Sequence, residues 1–162
     1  MTARARREPR HAWRRVALLT LSLVGAVALS LPVAATANDA ALRTTLAVWS
    51  HRIALDAQGI SLSAARRHPR RMTRRARHFR LDALRAHSAV AAIRPSSDRG
   101  RRAKRLALAA FYDYAIVGRQ WTLSGLARVR GLRAAAVGHA RIAARYARRG
   151  SALLVSAKRL LG

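Results

Sequence analysis

Between Arg66 and Arg80 the chain reads Arg-Arg-His-Pro-Arg-Arg-Met-Thr-Arg-Arg-Ala-Arg-His-Phe-Arg, eight arginines in fifteen residues. A guanidinium is planar, permanently charged and presents a fork of N–H donors that matches a phosphate or a carboxylate. Arg66, Arg67, Arg70, Arg71, Arg74, Arg75, Arg77 and Arg80 are therefore the candidate contacts to an anionic partner, such as an anionic lipid or a cell-envelope polymer. The competing reading is a solvated helix face in an arginine-biased chain. All but Lys104 and Lys158 of the 33 basic residues are arginine, which a GC-rich coding bias would also produce. Such a bias does not explain why only six acidic residues accompany them, so the anionic partner stays ahead.

Other chemistry lacks its parts. The acids beyond the first 37 residues are Asp39, Asp56, Asp82, Asp98 and Asp113, on separate segments, and no neighbouring pair suggests acid–base work. His51, His68, His78, His87 and His139 read as solvated histidines without ligand partners at metal spacing. Ser124 and Ser151 lie beside glycines but lack the flanks of a nucleophile elbow. The absence of cysteine excludes disulfides, thiolate metal sites and a lipid-modified cysteine. The expectation is a non-enzymatic protein with no cofactor and no metal. Phe111, Tyr112, Asp113, Tyr114 and Trp121 read as core, with Asp113 paired to Arg105, Arg119 or an arginine of another helix, and a groove or self-association surface is the alternative.

The first 37 residues form a distinct segment. Arg4, Arg6, Arg7, Arg10, Arg14 and Arg15 precede an uncharged apolar run from Val16 to Ala37, which closes on Ala35-Thr36-Ala37. This is the order of an export signal, with cleavage after Ala37 leaving Asn38 as the new N-terminus. Because the run is long enough to span a bilayer, an uncleaved N-terminal anchor is the alternative. Both place the remainder outside the cytoplasm, since the arginine cluster stays inside. Arg14-Arg15 before Val16-Ala17-Leu18 resembles a twin-arginine export signal, although Trp13 and Ala17 stand where that pattern has a polar and a bulky apolar residue. The leader implies export machinery as a partner, with ordinary secretion as open a route as the twin-arginine one.

Residues 38–162 then form a single basic domain. Removing Glu8 and the six leader arginines leaves +22 of the net charge of +27. Apolar spacings of three and four predict an all-α fold, a three- or four-helix hairpin or bundle of long helices with alanine-rich, heptad-like seams. The first helix is expected over Asp39–Gln58, with Leu42, Leu46, Trp49 and Ile53 inward, Arg52 pairing with Asp56, and Gly59 as its end. The second starts at Pro69 and runs to Ile93 along Met72, Ala76, Phe79, Ala83, Ala86 and Val90. The last helical region starts after Ser97 or Asp98 and extends to Leu161, with bends near Gly125 or Gly131 and near Gly150.

The functional expectation is an exported or membrane-tethered helical protein that binds anionic envelope surfaces or polymers. A self-assembling or partner-binding module with incidental charge is the alternative. Nucleic acid would bind by charge alone, but an exported protein meets little of it, so it is not the expected physiological partner.

Overall fold

Three- and four-residue apolar spacing produces helices that persist until a proline or a left-handed residue interrupts them. The computed structural model describes residues 10–162, with side chains from residue 37 onward, as α1 (Arg10–Ala65), α2 (Pro69–Ala92), α3 (Asp98–Val129) and α4 (Arg133–Leu161). No strand occurs among the described residues. Contacts divide the chain into units of residues 1–36 and 37–162, and the second is a helical bundle. The expected leader lies outside the described side chains, Ala35 included, apart from Ala37, which is exposed like Asn38. Among the described residues, no helix is long and apolar enough to cross a membrane.

The core draws on all four helices. Leu42, Leu46, Ile53 and Ile60 enter from α1, Met72, Phe79 and Val90 from α2, Phe111 and Val117 from α3, and Leu154 and Leu161 from α4. Alanines fill the rest, which lets the axes approach closely but buries little apolar area per residue. At Gly118 the approach is closest: a Cβ there would lie 2.8 Å from the Arg80 Cα, so α3 crosses α2 with nothing but hydrogen between the backbones. The expected α2 stripe is buried from Met72 to Val90, with Ile93 half-buried beyond the helix end.

The helix limits correct the expectation in three places, the first being that α1 begins at Arg10 rather than Asp39. α1 does not end at Gly59 but continues to Ala65, because Ile60 and Ser63 extend the buried stripe and Gly59 leaves room for the Arg75 side chain. The last helical region breaks once, at Gly131. Gly125 and Gly150 lie inside α3 and α4, where a side chain would crowd α2 and the Ala110 carbonyl, respectively.

The two short links have the same form. Arg67 has φ +54°, and the His68 and Arg67 N–H groups donate back to the Ser63 and Ala64 carbonyls at 3.0 and 3.1 Å. Gly131 has φ +75°, and the Leu132 and Gly131 N–H groups donate to Ala127 and Arg128 at 2.9 and 3.1 Å. Such a left-handed residue closes a helix end, and glycine adopts it without the steric cost that arginine meets.

Candidate functional site

Antiparallel helices give the bundle two ends, and the end holding the link from Ile93 to Ser97 is closed by hydrogen bonds. Ser97 caps α3 by accepting the Gly100 N–H at 2.8 Å, while its hydroxyl donates to Asp39 of α1. Arg101 donates to Asp98 at 2.6 Å and to the Ser96 carbonyl at 2.7 Å. Lys104 donates to the Ala91 and Ile93 carbonyls, both at 2.6 Å, satisfying acceptors that the end of α2 leaves free. Arg43 does the same for the Leu161 carbonyl of α4.

The opposite end lacks such caps and ion pairs, and its side-chain hydrogen bonds come from hydroxyls: Thr73 donates to the Pro69 carbonyl and Ser124 to the Ala136 carbonyl, both at 2.9 Å. α2 and α4 start after His68 and Leu132, neither of which caps its helix with a side chain, and neither first turn holds an acid. Arg70, Arg71 and Arg133 sit instead in those first turns, against the positive pole of the helix. Arg66, Arg67, Arg74, Arg75, Arg128 and Arg130 complete the cluster, all exposed. None of them makes an ion pair or side-chain hydrogen bond among the described residues, and none of the five aspartates of the bundle lies in these turns.

The eight arginines singled out in the sequence do not form one patch. Arg70, Arg71 and Arg74 meet Arg128 around an open cleft of about 630 Å³ that also includes His68, Pro69 and Val129. Arg66, Arg71 and Arg75 face the α1 side, near Gly59 and Ser63. Arg77 and Arg80 face the α3 side with Arg119, beside Leu81, Leu84 and Leu123. Arg119 and Arg128 are the contributors that the sequence reading passed over, because their place beside α2 depends on α3 running back along it.

The aspartates are not scattered as expected, because folding brings three acidic or imidazole groups together. Asp56 lies 3.3 Å from His78 Nδ1, and Asp82, one turn beyond His78, lies 3.8 Å from the same atom. The reading of His78 as a histidine without partners is thus corrected. Arg52 does not pair with Asp56 but crosses to the fully buried Asp82, 2.5 Å from Oδ2, while Arg85 donates to Oδ1 at 3.1 Å. Two carboxylates and an imidazole are ligands a divalent cation accepts. Arg52 and Arg85 already neutralise Asp82, so the cluster works as a clasp between α1 and α2.

Asp113, also fully buried, receives both Nε and Nη2 of Arg149, which ties α3 to α4 and answers the expectation of an arginine from another helix. This pairing holds the Arg149 proton more tightly than usual, and the guanidinium also lies 5.1 Å from the Tyr146 ring centre. Burial pushes the neighbouring Tyr114 phenol above its ordinary value; a hydrogen bond with Ser151 opposes this and the Asp113 charge adds to it. Tyr114 packs edge-on against Phe79, so much of this segment is core, although Tyr112 is exposed.

No protein-family model matches the chain, and neither a curated protein nor a solved structure matches it. What the protein does is therefore argued from its own residues.

Proposed function

We propose that this is an exported or membrane-tethered, non-enzymatic helical protein that binds anionic envelope surfaces or polymers through the basic end of its bundle. The observation that carries this reading is the exposed cleft of Arg70, Arg71, Arg74 and Arg128, with no acid in its lining. Unpaired guanidiniums keep their donors free for phosphate or carboxylate oxygens, whereas Arg43, Arg101 and Lys104 at the closed end already serve carbonyls or an aspartate. Arginines in an uncapped first turn oppose folding, a cost that an anionic partner would remove.

Titration of the full chain with polyphosphate and with phosphatidylglycerol vesicles tests this reading. If about four phosphate contacts form, affinity should fall about a hundredfold between 50 and 200 mM salt. Affinity insensitive to salt would reject the reading. A salt-insensitive self-association would favour the self-assembling module instead, because packing of an apolar seam is not screened.

Export is part of the proposal, with Ala35 and Ala37 as the cleavage determinants and Asn38 as the first residue of the product. Mass spectrometry of the N-terminus after expression and fractionation in a bacterial host tests it. A product beginning at Asn38 supports a released domain, an intact N-terminus in the membrane fraction supports the tethered form, and an intact chain in the cytosol rejects export.

A further inference from the structure

The groove between α2 and α3 differs from the end cleft in having an apolar floor. Its volume is about 570 Å³, within the range of sites that hold small amphiphiles, and Leu81, Leu84 and Leu123 line it beneath Arg77, Arg80 and Arg119. Leu81 is 53% exposed and Leu84 39% exposed. The remaining lining group, Thr122, donates its hydroxyl to the Gly118 carbonyl at 2.8 Å and so places no polar demand on the floor. The three guanidiniums have no ion-pair or hydrogen-bond partner among the described residues.

The same division runs along one face of α2. Arg70, Arg74, Arg77, Leu81 and Leu84 step by four, three, four and three residues, so the face changes from basic to apolar away from the turn. An inorganic polyanion would use only the first part. A ligand that uses both must carry an anionic group and a hydrocarbon chain, in the manner of basic helices that lie at a bilayer interface.

We propose that the α2–α3 groove seats an anionic phospholipid of a bilayer, its phosphate held by Arg77, Arg80 and Arg119 and its upper acyl chain lying on Leu81, Leu84 and Leu123. This rests on the anionic-partner reading and deepens it by naming the lipid. Two exposed leucines among free arginines have no such use against a water-soluble polymer.

The chain contains no cysteine, so a bimane label carried on Ser88→Cys, one turn beyond Leu84 on the same face, can report the environment of this surface in the full chain. A label on Val48→Cys reports an exposed site on α1. Vesicles of phosphatidylglycerol with brominated acyl chains should quench the first label and not the second, and phosphatidylcholine vesicles should quench neither. Leu81→Ser with Leu84→Ser should weaken the phosphatidylglycerol response at least tenfold while polyphosphate affinity stays within about twofold. Both leucines are exposed, and circular dichroism checks that the variant stays helical; Arg77→Gln with Arg119→Gln, which leaves the floor intact, should weaken the same response. Quenching unchanged by the leucine variant, or equal at both labels, would overturn the lipid seat and leave the anionic-partner reading standing. If the unsubstituted chain bound neither polyphosphate nor phosphatidylglycerol, both would fall.

Discussion

The two ends of the bundle are both rich in basic residues, yet only one of them uses those residues to hold the fold. At the closed end Asp39, Ser97 and Asp98 supply acceptors and a cap, and Arg43, Arg101 and Lys104 are committed to carboxylates and carbonyls. At the turn end α2 begins at Pro69 without a side-chain cap, and its neighbouring arginines have solvent as their partner. A uniform arginine bias accounts for the number of charges at both ends. It does not account for the placement of acids and caps at one of them, and that asymmetry is the reason to look for a ligand at the other.

The comparison breaks most directly if the two sets of cations prove interchangeable. Arg70→Gln, Arg74→Gln and Arg128→Gln together should weaken binding to phosphatidylglycerol vesicles about a hundredfold, at about 1 kcal/mol for each cation near an anionic surface. The matched triple at the closed end, Arg99→Gln, Arg102→Gln and Arg159→Gln, removes the same charge and should cost less than about fivefold. Equal losses in a flotation assay would mean that net charge alone attracts the partner.

The middle of the bundle is the reference that neither end should disturb. Asp113→Asn removes a charge-assisted pair from a fully buried position and should lower stability to urea by about 1 to 3 kcal/mol, with vesicle binding unchanged. Next to it, Tyr114 holds its proton above the ordinary 10.0 because of burial. Over that window the folded chain binds a proton that the unfolded chain releases. The stabilisation is therefore complete below about pH 10 and is lost as pH rises through the folded value. Melting temperature should fall more steeply above about pH 10 in the natural chain than in Tyr114→Phe.

What was legible in the sequence divides along similar lines. The all-helical bundle, the Pro69 start, the Ser97 cap and the seam from Met72 to Val90 each depend on residues within a few turns of one another, and the structure has them where they were read. Gly59 was misread because its role is set by Arg75 from another helix, so its lack of a side chain signals contact rather than termination. Arg52 and Asp56 stand one turn apart, yet the fully buried Asp82 outcompetes the more accessible Asp56 because a buried carboxylate needs a cation more. His78 and Asp82 were one turn apart in plain view, but Asp56, the third member, belongs to α1. Of the basic site, the α2 arginines were legible, while Arg119 and Arg128 required knowing that α3 runs back along α2.

The caps sharpen the comparison at a smaller scale. Ser97→Ala should destabilise the bundle by about 1 kcal/mol, since it removes an acceptor from the α3 N-terminus and a donor to Asp39. His68→Ser, which supplies a cap where none exists, should stabilise by a similar amount. A gain at Ser97 or a loss at His68 in urea denaturation would mean that the ends do not differ in the way their hydrogen bonds imply.

The smallest effect separates charge from strain within the turn end. Arg67 and Gly131 occupy the same left-handed position in their two links, and nothing lies within 4 Å of a Cβ placed at Gly131. Arg67→Gly should therefore stabilise by up to about 1 kcal/mol, less the extra freedom glycine brings to the unfolded chain, and Gly131→Arg should cost about as much. The double exchange leaves both net charge and total strain nearly constant while moving one arginine from the α1–α2 link to the α3–α4 link. If the end works as a collective field, the exchange should keep stability within about 0.5 kcal/mol and vesicle affinity within about twofold. A loss of affinity with stability preserved would show instead that Arg67 makes a specific contact, one for which an arginine is kept in a conformation that favours glycine.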